Sequence, residues 1–347
     1  MVGGPHAEPV PITSAGGPFA TLVAGAPMRY QRIGVAWDQF GTAATGFRCV
    51  APTRTNSAPR IFTADVAKAE RLGQVPLVII GPDVWGATSG YHWPGGVQTP
   101  PTTPNDLQYE CGAQLLLKTL TSQGLARAGM PVETFNEPDN SSYYVEASQA
   151  GRYFGDLVAV GGSQVHAIAG GFESASDETY ATTYVDVVKS SGYNSSATSW
   201  SVHDYNDVVN GQTTQSCSPS NLSACDHQSV SEFLAWLRRQ GEPTDDVWVT
   251  EAGDASIAGA SLTHSRSEEA HAAYGWEQLR TYAHHTFWYQ WQTFSGDGWD
   301  SALLDSTGPL RPSYCVIAFN ETPAQALSDP RCLGSALPPV GAGLAGG

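Results

Sequence analysis

Two kinds of apolar pattern alternate along the chain. Short β-branched or aromatic runs are closed by Gly, Pro or Asp, and longer segments between them repeat apolar residues every three or four positions. The runs predict strands at Pro9–Thr13, Met28–Trp37, Pro76–Ile80, Val132–Phe135, Gln164–Phe172, Trp200–His203, Val247–Asp254 and Thr286–Gln292. The periodic segments predict helices over Phe19–Ala24, Ile61–Leu72, Asp106–Gln123, Tyr143–Val160, Thr179–Ser190, Ser229–Gln240, Ser267–Ala283 and Pro312–Phe319. This alternation is the order of an α/β chain folded as a single (β/α)8 TIM barrel. The domain is expected over residues 1–332, with a Pro/Gly/Ala-rich disordered tail over 333–347.

In such a barrel, catalytic side chains gather at the carboxyl ends of the strands. The fourth strand stops at Asn136-Glu137-Pro138, because proline cannot continue a central strand, so Glu137 is delivered at a strand end. The seventh, VWVTEAGD, delivers Glu251 in the same way. Their separation, 251 − 137 = 114, is three repeats of 38, close to the length of one strand-helix unit. Two carboxylates across a groove are what glycoside hydrolysis uses, one as proton donor and one attacking or activating water. Two solvated loop glutamates are the plainer alternative. The segments Gly41–Pro59 and Gly81–Asn105 read as loops over the barrel mouth, the second carrying Trp85, Tyr91, His92 and Trp93. Such rings either stack on sugars or pack among themselves.

Hydrophobic residues make up 41% of the 347 residues and charged ones 14%, enough for one large core. The net charge of −16 repels phosphate backbones and anionic lipid, so no nucleic acid and no membrane are expected as partners. The charge also serves solubility. No run of eighteen apolar residues would span a bilayer. The first twenty residues show no basic start and apolar segment, and the chain reads as a mature form with Met1 added. Six cysteines without CxxC spacing argue against zinc and suit three disulfides, Cys217–Cys225, Cys315–Cys332 and, by elimination, Cys49–Cys111. Buried thiols are the alternative. Acceptor sequences for N-linked glycans at Asn140, Asn194, Asn221 and Asn320 favour an extracellular, secreted glycoprotein.

Taken together, Asn136-Glu137-Pro138 after one strand, His203-x-Tyr205 after a later one, Glu251 closing a seventh and Trp291 closing an eighth resemble clan A glycoside hydrolases. The likeness spans Pro9 to Phe319 at strand ends only. It is greatest to glycoside hydrolase family 39 and its relatives, on Ser14-Ala15-Gly16 and Tyr30-Gln31-Arg32, with families 128 and 5 left open. The resemblance implies that Glu137 is the acid/base and Glu251 the nucleophile, with retained anomeric configuration and carboxyls about 5–5.5 Å apart. It implies that Arg32 and Tyr205 donate to Glu251, that Asn136 holds a sugar 2-hydroxyl, and that Trp291 floors the sugar subsite.

Each of these has a structural counterpart. Asn136 would cap a turn, His203, which could bond a sugar hydroxyl or the acid, would be only a hydrogen-bonded core residue, and Trp291 would pack in the core. Trp85, Trp37 and Asp38 are further candidates for substrate contact. Glu173 ends the fifth strand as a rival carboxylate, but it, Asp297 and Asp300 read as loop acids or substrate hydrogen-bonders rather than catalysts. No His and carboxylate cluster has metal-ligand spacing, so neither metal nor cofactor is expected. No Gly-x-Ser-x-Gly elbow offers another nucleophile. The expectation is a secreted, monomeric retaining O-glycoside hydrolase acting on a polysaccharide or oligosaccharide. A catalytically silent barrel that binds glycans or inhibits other enzymes is the second class.

Overall fold

The computed structural model describes residues 30–44, 48–50, 58–82, 103–141, 144–173, 178–205, 207–208, 229–253, 266–279, 283–288, 303–304 and 310–332. Its main sheet is built from β1 (Tyr30–Ala36), β4 (Val75–Gly81), β5 (Met130–Glu133), β6 (Val165–Phe172), β7 (Trp200–His203), β8 (Val247–Ala252) and β9 (His285–Trp288), hydrogen-bonded in that order. Every neighbouring pair is parallel. Parallel neighbours need a crossover, and the connections carry α1 (Ala58–Arg71), α2 (Asp106–Ser122), α3 (Ala147–Gly161), α4 (Glu178–Ser190), α5 (Val230–Gln240) and α6 (Arg266–Leu279). α7 (Pro312–Phe319) and a short α8 (Pro323–Ala326) follow β9. The seven strands are the second to eighth expected of a TIM barrel. The expected first strand and first helix, the Cys217–Cys225 loop and the tail from Leu333 lie outside the described residues.

The strand sequences explain the layering. Val75–Gly81 is apolar nearly throughout, as a strand covered on both faces must be. Alternation sends Val78 and Ile80 toward the helices, and Leu77 and Ile79 into the barrel with Ile168, Trp248 and Phe287. The sheet curls enough for its first and last strands to approach each other. The Tyr30 ring, on β1, lies 4.9 Å from that of His285 and 6.0 Å from that of Phe287, both on β9. Helix ends follow local chemistry: Asn105 and Gln108 form a capping box on α2, Ser229 caps α5, and Gly241, with φ 76°, terminates α5 in the left-handed region.

One expected loop holds regular structure. Within Gly41–Pro59, β2 (Thr42–Ala44) and β3 (Arg48–Val50) pair antiparallel, and Cys49 of β3 is bonded to Cys111 of α2. Three-residue strands are too short to show an alternation, so the hairpin left no legible pattern. The second disulfide, Cys315–Cys332, ties α7 to the segment after α8. These crosslinks close separations of 62 and 17 residues. By loop-closure entropy they stabilise the fold by about 4 and about 3 kcal/mol.

At the amino-terminal end of the strands, Asp246 ties three strands together. It accepts from Trp248 Nε1 at 3.1 Å and from Ser199 Oγ, and pairs with His285 Nε2 at 3.2 Å. Burial alone would raise the carboxyl of Asp246, but the His285, Ser199 and Trp248 donors outweigh it and lower it. A carboxylate held low stabilises the fold above its unfolded value, and that contribution is lost as pH falls through the folded value. Asp246→Asn is therefore expected to lower Tm by a few degrees at pH 7, with the gap to wild type narrowing below about pH 4 in calorimetry.

Candidate active site

Arg32 comes first in chain order and lies deepest. It shares the inward face of β1 with Tyr30 and is completely buried. Its Nη1 donates to Glu251 Oε1, while Nη2 donates to Asn136 Oδ1, lies 3.5 Å from Glu133 Oε1 and faces His203 Nε2 at 3.3 Å. Burial alone would make this charge harder to hold, but the Glu251 and Glu133 carboxylates outweigh it and raise the guanidinium. One cation from β1 thus meets side chains from β5, β7 and β8.

Glu137 is positioned by the chain leaving β5. Thr134 N–H donates to Ile168 O at 3.1 Å, Asn136 N–H to Ile80 O at 2.8 Å and Glu137 N–H to Gly171 O at 2.7 Å, so both neighbouring strands hold the exit. Glu137 has φ 42°, in the left-handed region that a side chain seldom adopts. Such strain costs on the order of 1–3 kcal/mol and persists where the surroundings enforce it. Gly171, with φ 74°, is part of that enforcement. A Cβ there would stand 2.2 Å from the Phe135 carbonyl, so only glycine lets β6 come close enough to accept from Glu137.

Glu251 sits near the end of β8, and Tyr205 OH donates to its Oε2 at 2.7 Å. With Arg32 on Oε1, both Glu251 oxygens have a donor. Tyr205 is carried by the loop after β7, which two buried carboxyls pin to the start of α5. Asp204 Oδ2 and Asp207 Oδ2 each accept the Val230 N–H at 3.1 Å, and Asp204 Oδ1 accepts from Asp207 N–H at 3.0 Å. Burial, and for Asp204 also the neighbouring Asp207, raises both carboxyls.

His203, at the end of β7, bridges the two glutamates. Its Nδ1 lies 2.8 Å from Glu137 Oε1 and 3.5 Å from Glu251 Oε2. Arg32 can only donate, so in the neutral ring Nε2 accepts and Nδ1–H points at the carboxylates. Burial and the Arg32 charge lower His203, but the charges of Glu251 and Glu137 raise it further, and the net shift is upward. Ligand atoms of Glu137, His203 and Glu251 all lie within 4.8 Å of one another. The structure brings the two glutamates together around His203. That donor set is one a divalent cation could use, although Arg32 adds a positive charge directly beneath it.

Around this centre lie Glu133, Asp139 and Asn140, which the strand-end pattern did not reveal, together with Glu173 and Asp38, which the sequence had marked. Glu133 is buried beside Arg32, with Oε2 unpaired. Asp139 Oδ1 accepts from Glu173 N–H at 2.8 Å, linking the loop after β5 to the end of β6. Asn140 Nδ2 donates to Glu137 Oε2 at 3.0 Å. Burial pushes the Asp139 carboxyl up to about 6. Burial and then the charges of Glu137 and Asp139 push Glu173 up to about 7. Asp38 is half-buried just after β1. Trp37 requires a correction: it is buried in the core between sheet and helices, because it shares the parity of Ile33 and Val35 rather than that of Arg32. Trp85 and Trp291 lie outside the described residues.

The arrangement is a parallel α/β barrel with two carboxylates and a bridging histidine at the carboxyl ends of its strands. No family model matches the sequence, and no curated protein does. Solved structures share the fold. A monomeric β-xylosidase from Caulobacter crescentus CB15 superposes with TM-score 0.61 at 13% identity, over 87% of this chain and 63% of that one. The family 39 glycoside hydrolase from Xanthomonas axonopodis pv. citri gives TM-score 0.61 at 12% identity, over 87% and 62%. A fungal β-1,4-galactanase gives TM-score 0.54 at 12% identity, over 87% of this chain and 90% of that one. The chain spans less than two thirds of the length of the first two. At such identities the likeness is one of fold, and the expected resemblance to family 39 holds at that level.

Two outcomes follow from the charges. Asp139, Glu173 and His203 are all raised, and raised groups stabilise the fold at low pH and lose that contribution as pH rises through their folded values. Thermal melts should therefore show Tm falling between pH 5 and pH 8, with a shallower slope in Asp139→Asn and Glu173→Gln. Arg32→Lys, which cannot fork between Glu251 and Asn136, is expected to destabilise by about 3–5 kcal/mol in chemical denaturation.

Proposed function

We propose that the protein is a secreted retaining O-glycoside hydrolase acting on a polysaccharide or oligosaccharide, with Glu137 as acid/base and Glu251 as nucleophile. The observation that carries this is the approach of the two carboxylates to within 4.8 Å, oxygen to oxygen. Retaining enzymes place their carboxyls about 5–5.5 Å apart, while inverting enzymes leave about 6.5–9.5 Å for a water.

In the first step, protonated Glu137 gives its proton to the glycosidic oxygen as the bond to the anomeric carbon breaks. A Glu251 oxygen attacks that carbon from the opposite face and forms an ester. In the second step, water attacks the same carbon and gives a proton to Glu137, and the electron pair of the ester bond returns to Glu251. Arg32 and Tyr205 orient the nucleophile and receive its charge when the ester breaks. Asn136 Oδ1 accepts from Arg32, so the donor end of that amide is Nδ2, which we assign to the sugar 2-hydroxyl. His203 sits against both glutamates and holds Glu137 in register. Trp291 and Trp85 are assigned to sugar stacking and Asp38 to the rim, whereas Trp37 is given no sugar contact. No cofactor enters either step.

A net charge of −16 favours neutral over acidic polysaccharides. The neighbouring folds are named for β-xylosidase and β-1,4-galactanase activity, so β-xylans and β-1,4-galactans head the substrate panel. The disulfides Cys49–Cys111 and Cys315–Cys332 support an extracellular location. On the glycan that the wild type cleaves, Glu137→Ala should lower kcat/KM roughly 100- to 10,000-fold, and Glu251→Ala at least as much. Wild-type turnover in either variant would remove the assignment.

A further inference from the structure

The carboxyl of Glu137 is gripped at both oxygens. Oε1 meets His203 Nδ1 at 2.8 Å, and Oε2 accepts from Asn140 Nδ2 at 3.0 Å. The backbone sets Asn140 in place: its N–H donates to the Glu137 carbonyl at 2.9 Å, closing the turn that starts at the left-handed Glu137. Pro138, in the middle of that turn, is buried, and its carbonyl accepts from Val145 N–H at 2.9 Å where the chain heads into α3. One anchored turn therefore carries both the carboxyl and a donor to it.

We propose that Asn140 is a positioning residue for Glu137, its amide nitrogen serving the acid/base and not a glycan. This rests on the role given to Glu137 above. His203 can gain or lose a proton, whereas an amide N–H only donates. Asn140 therefore favours the ionised carboxylate, the form in which Glu137 draws a proton from the water that attacks the Glu251 ester. The same nitrogen belongs to Asn140-Ser141-Ser142, an acceptor sequence for N-linked glycan. A glycan there would be joined to the atom 3.0 Å from Glu137 Oε2, and its first ring would cover the carboxyl. The two uses exclude each other.

The test is the pH profile of kcat/KM for wild type, Asn140→Ala and Ser142→Ala, each made in a host that attaches N-glycans and in one that does not. In Asn140→Ala the alkaline limb, set by loss of the acid's proton, should move up by about half to one pH unit, the worth of one net hydrogen bond. Ser142→Ala removes the acceptor sequence but keeps the amide, and should retain the wild-type profile. Peptide masses from the active fraction made in the glycosylating host should show Asn140 unmodified. If Asn140→Ala does not fold, Asn140→Gln, which displaces the amide by one methylene, should move the limb in the same direction. An unmoved limb, a Ser142→Ala shift as large as that of Asn140→Ala, or a fully active protein glycosylated at Asn140 would each overturn the proposal. Failure of the underlying assignment reads out separately, as wild-type turnover in Glu137→Ala.

Discussion

A single buried guanidinium decides how the top of this barrel is put together. Arg32 has no exposed surface, and its partners come from three other strands: Glu133 and Asn136 from β5 and its exit, His203 from β7, and Glu251 from β8. Moving a carboxylate out of water costs several kcal/mol unless a counter-charge with good geometry meets it. Arg32 is that counter-charge for Glu133 and Glu251 together. Its planar fork also fixes the orientation of the Asn136 amide and the tautomer of neutral His203, so one side chain aligns both glutamates. One cation does not neutralise the whole neighbourhood, however. Asp139 and Glu173, further out, are pushed up to about 6 and about 7, by burial first and then by the neighbouring carboxylates.

The two ends of the barrel divide stability and strain between them. At the base, Trp248 stacks on His285 at 3.7 Å and Tyr30 packs edge-on against both, with Asp246 supplying the polar tie. The upper end holds Glu137 in a left-handed conformation, presses Gly171 against the Phe135 carbonyl and buries the Asp204 and Asp207 carboxyls at one N–H. Unfavourable local choices concentrated around two carboxylates are the pattern expected where geometry has been fixed for chemistry.

Much of this was legible because the fold imposes simple patterns. Strands covered on both faces read as apolar runs, and Pro138 after Glu137 and Gly253 after Ala252 mark where two of them deliver an acid. What stayed hidden depends on pairings between distant residues. Glu133 occupies an inward position on β5, but its carboxylate makes sense only once Arg32 arrives from 101 residues away. Asn140 reads locally as a glycan acceptor, since nothing nearby says that its amide turns back to Glu137. Trp37 is the opposite case. Its parity with Ile33 and Val35 was visible in the sequence and marked it as facing the helices, and its place at a strand exit obscured that signal.

The central claim is that Glu251 forms a covalent bond to sugar while Glu137 protonates the leaving group. It is tested most directly by incubating the enzyme with a 2-deoxy-2-fluoro glycoside of the sugar it accepts, bearing an activated leaving group, and mapping the adduct by peptide mass. The fluorine slows hydrolysis of the ester more than its formation when the leaving group is good. A glycosyl mass on the peptide containing Glu251, absent in Glu251→Ala, is the expected result. An adduct on another residue, or none from an enzyme that hydrolyses the parent glycoside with inversion, would contradict it.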